Sequence, residues 1–415
     1  MLEKLVMETE QDCAFIFKQI QEMVESNQRK MLTAFQRQEI GDHHFNSTDG
    51  YGYDDSGRDR LESLYADVFE AEDALVRPQL VSGTHAIATA LFSLLLPGDE
   101  LVYITGSPYD TLEEVIGKRG KESGSLKELQ VAYKEVDLLA NGKVDYPAIK
   151  ETLSEQTKVI GIQRSKGYAD RPSFTIHEIE EMVQFVKQLY PQAIIFVDNC
   201  YGEFVEDKEP LEAGADVIAG SLIKNPGGGL VRAGGYIAGR EVHVAKAANR
   251  LTAPGLGKET GATLQMLQEM YQGFFLAPHV VGESLKGAVF TARLLDKLGV
   301  SSVPAYDEVR TDLIQSITFH DKEKMIAFCQ LIQANSPINS YAAPYPSEMP
   351  GYDEEVIMAA GTFIQGASIE LSIDGPIKPP YIAFMQGGLT YAHVKIAITN
   401  TMEKMISDGL IDFPA

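Results

Sequence analysis

Cysteine is scarce in this chain of 415 residues: Cys13, Cys200 and Cys329 lie far apart, with no Cys-x-x-Cys spacing. That argues against a disulfide frame or a thiolate zinc site and suits a reducing cytoplasm. The eight histidines show neither His-x-His nor HExxH spacing, so no metal is assigned. Basic residues are also in deficit, 36 Lys and Arg against 59 Asp and Glu, for a formal net charge of -23. A field of that sign repels nucleic acid and anionic membranes, and neither is expected as a partner. No hydrophobic run reaches membrane-spanning length. The opening "MLEKLVMETEQDCAFIFKQI" mixes acids among its apolar residues, where a signal peptide keeps a continuous apolar stretch. The reading is a cytoplasmic globular protein whose length and 44% hydrophobic content suit one large and one smaller domain.

What is present is a regular alternation. Residues 1 to about 45 carry apolar positions at helical spacing (Leu5, Phe15, Phe17, Ile20, Met23) and break at the loop "GDHHFNSTDGYGYDDSG". From Arg58 to Gly239, amphipathic helical patterns alternate with the short apolar runs "ELVYIT", "KVIGIQ", "AIIFVD", "DVIAGS" and "GGYIAG". This predicts an α/β domain with a mostly parallel sheet covered by helices on both faces. A long helical stretch from about Glu259 to Leu298 leads into a smaller α+β region. The expected division is a helical arm over 1–50, a large domain over 51–285 and a small C-terminal domain over 286–415.

Ligands of an open parallel sheet sit outside the carboxyl ends of its strands, so the residues following each apolar run are the ones to inspect. There stand Asp198 after "AIIFV", Arg164 and Lys166 after "VIGIQ", Tyr109 after "LVYITGSP", and Ser221 and Lys224 in "DVIAGSLIK". Ser82-Gly83-Thr84 opens an amphipathic helix whose free amides and dipole suit a phosphate. Taken singly, each has an ordinary reading: solvated lysine, turn-forming aspartate, loop tyrosine, helix cap, structural ion pair. Together they match the needs of pyridoxal 5'-phosphate. Its aldehyde condenses with an amine whose pKa is lowered by burial and nearby charge (Lys224), its ring nitrogen needs a carboxylate (Asp198), and an aromatic face can cover the ring (Tyr109). Its phosphate wants the amides of Gly83 and Thr84 and the hydroxyls of Ser82 and Ser221. The glycines of "NPGGGL" are expected to let the backbone pass close to the bound cofactor. A dinucleotide loop in "NPGGGLVRAGG" lacks the strand-turn-helix context that such a motif requires.

These residues resemble fold-type-I pyridoxal-phosphate enzymes of the Cys/Met metabolism group, and among them the bacterial methionine γ-lyase family, or cystathionine β-lyase family, that carries the label aluminium resistance protein. The resemblance spans nearly the whole chain. It implies a large domain with a mostly parallel seven-stranded sheet and a smaller α+β C-terminal domain. Ser82-Gly83-Thr84-His85-Ala86 matches the family's phosphate cradle with one extra residue before the alanine, Tyr109 matches the stacking tyrosine, Asp198 in "FVDNCYGEF" the ring-nitrogen partner, and Ser221-Leu-Ile-Lys224 the Ser/Thr-x-x-Lys motif. The implied activity is a carbon-sulfur lyase acting on a sulfur-containing amino acid, with Lys224, Tyr109 and Asp198 as catalytic residues. The alternatives are an aminotransferase on the same scaffold or a cofactor-binding homologue without activity. The resemblance also implies a homo-oligomer, a dimer or dimer of dimers, in which Tyr53 reaches the neighbouring subunit's phosphate.

Two departures stand out. Asp55 occupies the place of the family's phosphate-binding arginine, leaving Arg58 or Arg60 as substitutes. The usual carboxylate-binding arginine of the C-terminal domain is missing, since the last arginine is Arg310; Lys378, Tyr381 and Lys395 occupy the corresponding region. Arg164 and Lys166 are therefore the candidates for gripping the substrate carboxylate.

Overall fold

The computed structural model describes residues 2–120, 124–349, 352 and 354–413. The chain forms two compact units, residues 29–275 and residues 1–28 with 276–415. This differs from the division expected from sequence. The first turns of the arm cluster with the C-terminal unit, and the later boundary falls ten residues earlier, inside a helix with no break in its apolar pattern.

Helix α1 (Leu2–Arg37) opens the chain. In the larger unit follow α2 (Ser56–Phe69), β1 (Asp73–Arg77), α3 (Gly83–Leu94), β2 (Glu100–Tyr103), α4 (Asp110–Ile116) and β3 (Ala132–Glu135). Next come α5 (Tyr146–Thr152), β4 (Thr157–Gln163), α6 (Ile176–Leu189), β5 (Ile194–Asp198), β6 (Val217–Ser221), β7 (Gly235–Gly239) and α7 (Glu241–Leu251). Helix α8 (Leu267–Lys297) crosses the boundary. The smaller unit adds β8 (Ser301–Val303), β9 (Gln315–Thr318), α9 (Lys322–Ala334), β10 (Val356–Ala359), β11 (Ser372–Pro376), β12 (Ile382–Gln386) and α10 (Tyr391–Ser407).

The seven-stranded sheet runs β1-β7-β6-β5-β4-β2-β3. Only β7 runs against the direction of the other strands, so β1, β2, β3, β4, β5 and β6 all end at the same edge. Central strands buried on both faces read as continuous apolar runs, which is why "IIFVD" and "VIAGS" were visible in sequence. Strands β1 ("DALVR") and β3 ("AYKE") were not anticipated; β3 is a short edge strand with a polar alternation that resembles loop. The smaller unit holds an antiparallel five-stranded sheet, β10-β11-β12-β9-β8, packed on an apolar core that includes Phe290, Leu294, Ile317, Phe328 and Met385. No helix of the described residues is long and apolar enough to cross a membrane.

Caps place the helices that border the sheet edge. Asp55 caps α2 by accepting from the Arg58 amide at 2.9 Å, and Thr175 with Glu178 forms a capping box on α6. A buried ion cluster ties α2 to β1: Arg77 Nε donates to Glu62 Oε1 at 2.6 Å, its other nitrogens reach the Thr260 and Lys258 carbonyls, and Lys258 Nζ meets Glu62 and Asp73. Deleting one member of such a cluster strands a buried charge. Arg77→Ala is expected to lower unfolding free energy by about 3–5 kcal/mol, read as a drop in the urea midpoint with unchanged slope.

Candidate active site

At the shared strand edge the sheet register fixes the first contacts. Gln163 at the end of β4 is paired with Asp198 at the end of β5, and Asp198 with Ala219 of β6, two residues before Ser221. Asp198 is buried and accepts from the Cys200 amide at 3.1 Å. Burial raises its pKa, while the positive charge of Lys224 pulls the other way.

Ser82 caps α3, its Oγ accepting from the His85 amide at 3.1 Å, and the His85 ring braces the turn by accepting from the Val81 amide at 3.2 Å. The Gly83 and Thr84 amides head a twelve-residue helix, where no intrahelical carbonyl can take them. The cradle meets Ser221 directly: a Cβ on Gly83 would stand 3.1 Å from Ser221 Cβ and 3.5 Å from Cys200 Sγ. The Ser82–Gly83–Thr84 turn and Ser221, far apart in sequence, thus meet at the strand edge.

Tyr109 is fixed from both ends. Its amide donates to Gln163 Oε1 at 2.7 Å and its hydroxyl to Thr84 Oγ1 at 2.8 Å. Burial and then the charge of Asp198 hold its phenol above the usual range, so it stays protonated through neutral pH. Lys224 follows β6, with Nζ 4.0 Å from the centroid of the Tyr201 ring. Its pKa corrects the expectation drawn from sequence. Burial alone would lower it, but the negative potential of Cys200, Tyr201, Asp198 and Tyr109 outweighs that and holds it well above the ordinary lysine value. Cys200 and Tyr109 are themselves pushed upward and stay neutral at neutral pH.

The glycines after the lysine also serve a different end from the expected one. A Cβ on Gly227 would lie 1.8 Å from the Leu222 carbonyl oxygen, and one on Gly273 of α8 would lie 2.2 Å from the Gly227 carbonyl oxygen; Gly228 and Gly229 have φ of 54° and 75°. Close backbone packing and left-handed turns require them.

Arg164 is not available as a substrate anchor. It is fully buried, with NH1 on Asn199 Oδ1 at 2.9 Å and NH2 on Glu206 Oε1 at 2.9 Å, and a second carboxylate, Glu209, stands 3.5 Å from NH1. Lys166 is likewise buried, its amide donating to Ser173 Oγ at 2.9 Å. Asp55 takes its cap role in place of the family arginine; of the suggested substitutes, Arg58 is buried on the Gly52 and Gly261 carbonyls, and Arg60 is exposed and donates to Gln38 at 3.2 Å. Tyr53 is exposed and stacked on Tyr51 with ring centroids 5.3 Å apart. In the smaller unit Lys395 is paired with Glu10 at 2.7 Å.

Sequence reasoning missed Gln163, Cys200 and Tyr201. Gln163 sits at a strand end and was open to discovery by the same rule that found Asp198. Tyr201 gives no such signal: it adopts φ of 72°, a left-handed conformation unfavourable for a bulky residue that periodicity cannot reveal.

The model of the family described as methionine gamma-lyase matches residues 2–406. The chain belongs to this family. The Bacillus subtilis protein YnbB is 61% identical over 412 residues, covering 99% of this chain and 98% of its own length. A Listeria innocua structure, provisionally named a cystathionine beta-lyase involved in aluminum resistance, is 60% identical with a TM-score of 0.96, covering 97% of this chain and 99% of that one. The structure of a carbon-sulfur lyase involved in aluminum resistance from Clostridium novyi is 48% identical with a TM-score of 0.93, covering 97% and 96%. Distant neighbours share the fold alone, among them the pyridoxal-5'-phosphate dependent protein YhfS of Escherichia coli at 18% identity and TM-score 0.62. Another at 17%, from Campylobacter jejuni, contains a pyridoxyl-lysine phosphate. The family's members have pyridoxal-phosphate enzymes as fold relatives, and this chain has the fold-type-I architecture.

The buried Arg164 cluster yields a test. Arg164→Met leaves Glu206 and Glu209 without their cation and is expected to cost about 3–5 kcal/mol in chemical denaturation. A substrate-anchoring arginine would instead raise KM with stability unchanged.

Proposed function

We propose that the chain is a pyridoxal-phosphate-dependent carbon-sulfur lyase acting on a sulfur-containing amino acid. The observation that carries this reading is the convergence, at one strand edge, of an amine, a buried carboxylate, a fixed phenol and a helix N-terminus walled by Ser221. The donor set fits the cofactor: Gly83 and Thr84 amides with Ser82 and Ser221 hydroxyls for the phosphate, Asp198 for the ring nitrogen, and Lys224 Nζ for the aldehyde. Glycine at position 83 leaves the cradle open where any side chain would press on Ser221.

When bound, pyridoxal phosphate supplies an electrophilic aldehyde and a sink for the electron pair left when the substrate's α-proton departs. The protein supplies the rest. Asp198, held by the Cys200 amide, would give the ring N–H its carboxylate partner. Lys224 Nζ would take the substrate's α-proton as general base. Cleavage of the C–S bond sends the electron pair to sulfur, and the leaving thiolate collects a proton from Lys224 or from the Tyr109 hydroxyl, which Thr84 holds in place. The remaining enamine takes up water and yields a keto acid and ammonia. Tyr201, against Lys224 Nζ, restricts the arc through which the amine swings.

Homo-oligomerisation belongs to the same proposal. Tyr51 and Tyr53 form an exposed aromatic pair on the loop before α2, and a second copy of the chain gives this pair a partner to meet.

Incubation of cofactor-loaded protein with cystathionine, cysteine and methionine is expected to release keto acid from at least one. Lys224→Ala should reduce that release by at least 10³-fold, the scale of losing a general base. Full keto-acid release by Lys224→Ala contradicts the assignment.

A further inference from the structure

Behind the lysine turn lies a buried polar cluster that the lyase chemistry leaves unused. Glu203 is fully buried; its Oε1 accepts from Tyr236 Oη at 2.8 Å, and its Oε2 has no hydrogen-bond partner. Tyr65 Oη and Asn225 Oδ1 are buried and unpartnered as well. These residues are joined to one another. Asn225, next to Lys224, donates from Nδ2 to the Glu203 carbonyl at 2.9 Å, and the Tyr65 and Tyr236 rings lie 6.0 Å apart. Gly220 of β6 admits the carboxyl, since a Cβ there would stand 2.6 Å from Glu203 Oε1. Glu203 therefore meets the strand that ends in Ser221 through its carboxyl and the turn that carries Lys224 through its backbone carbonyl.

The groups that act on Glu203 come from four directions. Tyr236 approaches from β7, Tyr65 from α2, Lys224 and Asn225 from the turn after β6, and Cys200 and Glu209 from the segment after β5. Arg164 balances Glu209. Phe274, stacked on Tyr65 at 3.7 Å, and Phe69, 5.2 Å from Tyr236, make the surroundings apolar. Burial accordingly pushes the Glu203 carboxyl up to about 8, against the lowering effect of its own backbone amide and of Tyr236.

We propose that Glu203 is a positioning residue for Lys224, bracing the turn that carries the amine and setting, through its own ionisation, how firmly Nζ holds a proton. The proposal rests on the reading of Lys224 as the cofactor-bearing amine. With Glu203 neutral, the lysine answers to the Asp198 side of the pocket alone. Once Glu203 ionises, a second negative charge favours the ammonium form and opposes the neutral amine that proton abstraction needs. The sign for stability is the same as for any acid whose folded pKa is raised: the contribution is whole below the ordinary glutamate range and is lost as pH rises through about 8.

The test is the visible absorbance of the Lys224-linked cofactor, titrated from pH 6 to 10 in the loaded wild type, Glu203→Gln and Tyr236→Phe. The wild type is expected to show a step near pH 8 that Glu203→Gln lacks. Tyr236→Phe should move that step to higher pH, because it removes the hydroxyl that supports the carboxylate. A merely structural Glu203 would leave the step where it is. Infrared difference between wild type and Glu203→Gln at pH 7 should show a protonated carboxyl. A step unchanged in Glu203→Gln, a downward move in Tyr236→Phe, or an ionised carboxyl at pH 7 overturns the proposal while the cofactor reading stands. A wild type with no Lys224-linked band fails the cofactor reading itself and takes the proposal with it.

Discussion

A positive charge at the edge of a buried parallel sheet has to be held without being neutralised, and the arrangement around Lys224 answers that constraint. Cys200, Tyr201, Asp198 and Tyr109 set its potential, and Asp198 lies buried one strand away. Parallel strands make this possible. Because β5 and β6 end at the same edge, two residues separated by a helix-length connection in sequence are delivered side by side, and α3 brings its free amides to the same place. The raised pKa of Lys224 describes the pocket before any cofactor shares it.

The substrate carboxylate is the least conventional part of the pocket. Arg164, the arginine nearest to it in sequence logic, is consumed by an interior cluster in which Asn199 links it onward to Glu209. Arg310 in the smaller unit is half-buried, with NH2 on Gln315 at 2.5 Å, and desolvation of its guanidinium pulls its pKa down to about 10. The loop before α2 shows the same economy: Arg58 and Asp55 hold it together from inside, and its aromatic pair faces outward.

Much of this was legible in the sequence, for identifiable reasons. Central strands are continuous apolar runs, and the rule that ligands gather at their carboxyl ends picks out Asp198, Ser221 and Lys224, which the fold brings to one strand edge. The Ser82 cap was legible because serine before an apolar helix has few other uses. Hidden were the features set by packing rather than by pattern. Polar β3 looks like loop, the N-terminal turns join the far end of the chain, and Glu203 looks like one more surface acid in an acidic protein. Arg164 shows the limit most clearly. An arginine at a strand end reads the same whether its guanidinium faces the cleft or the interior, and only the positions of Glu206 and Glu209 decide which. The glycines of "NPGGGL" misled for a related reason, since a demand for small residues does not say what presses on them.

The central claim is a covalent tether at one lysine. Borohydride reduction of the cofactor-loaded protein, followed by proteolysis and peptide mass analysis, tests it directly. The account predicts a pyridoxyl group on the peptide bearing Lys224 and on no other; a label on a different lysine, or none at all in protein shown to retain the cofactor, contradicts it.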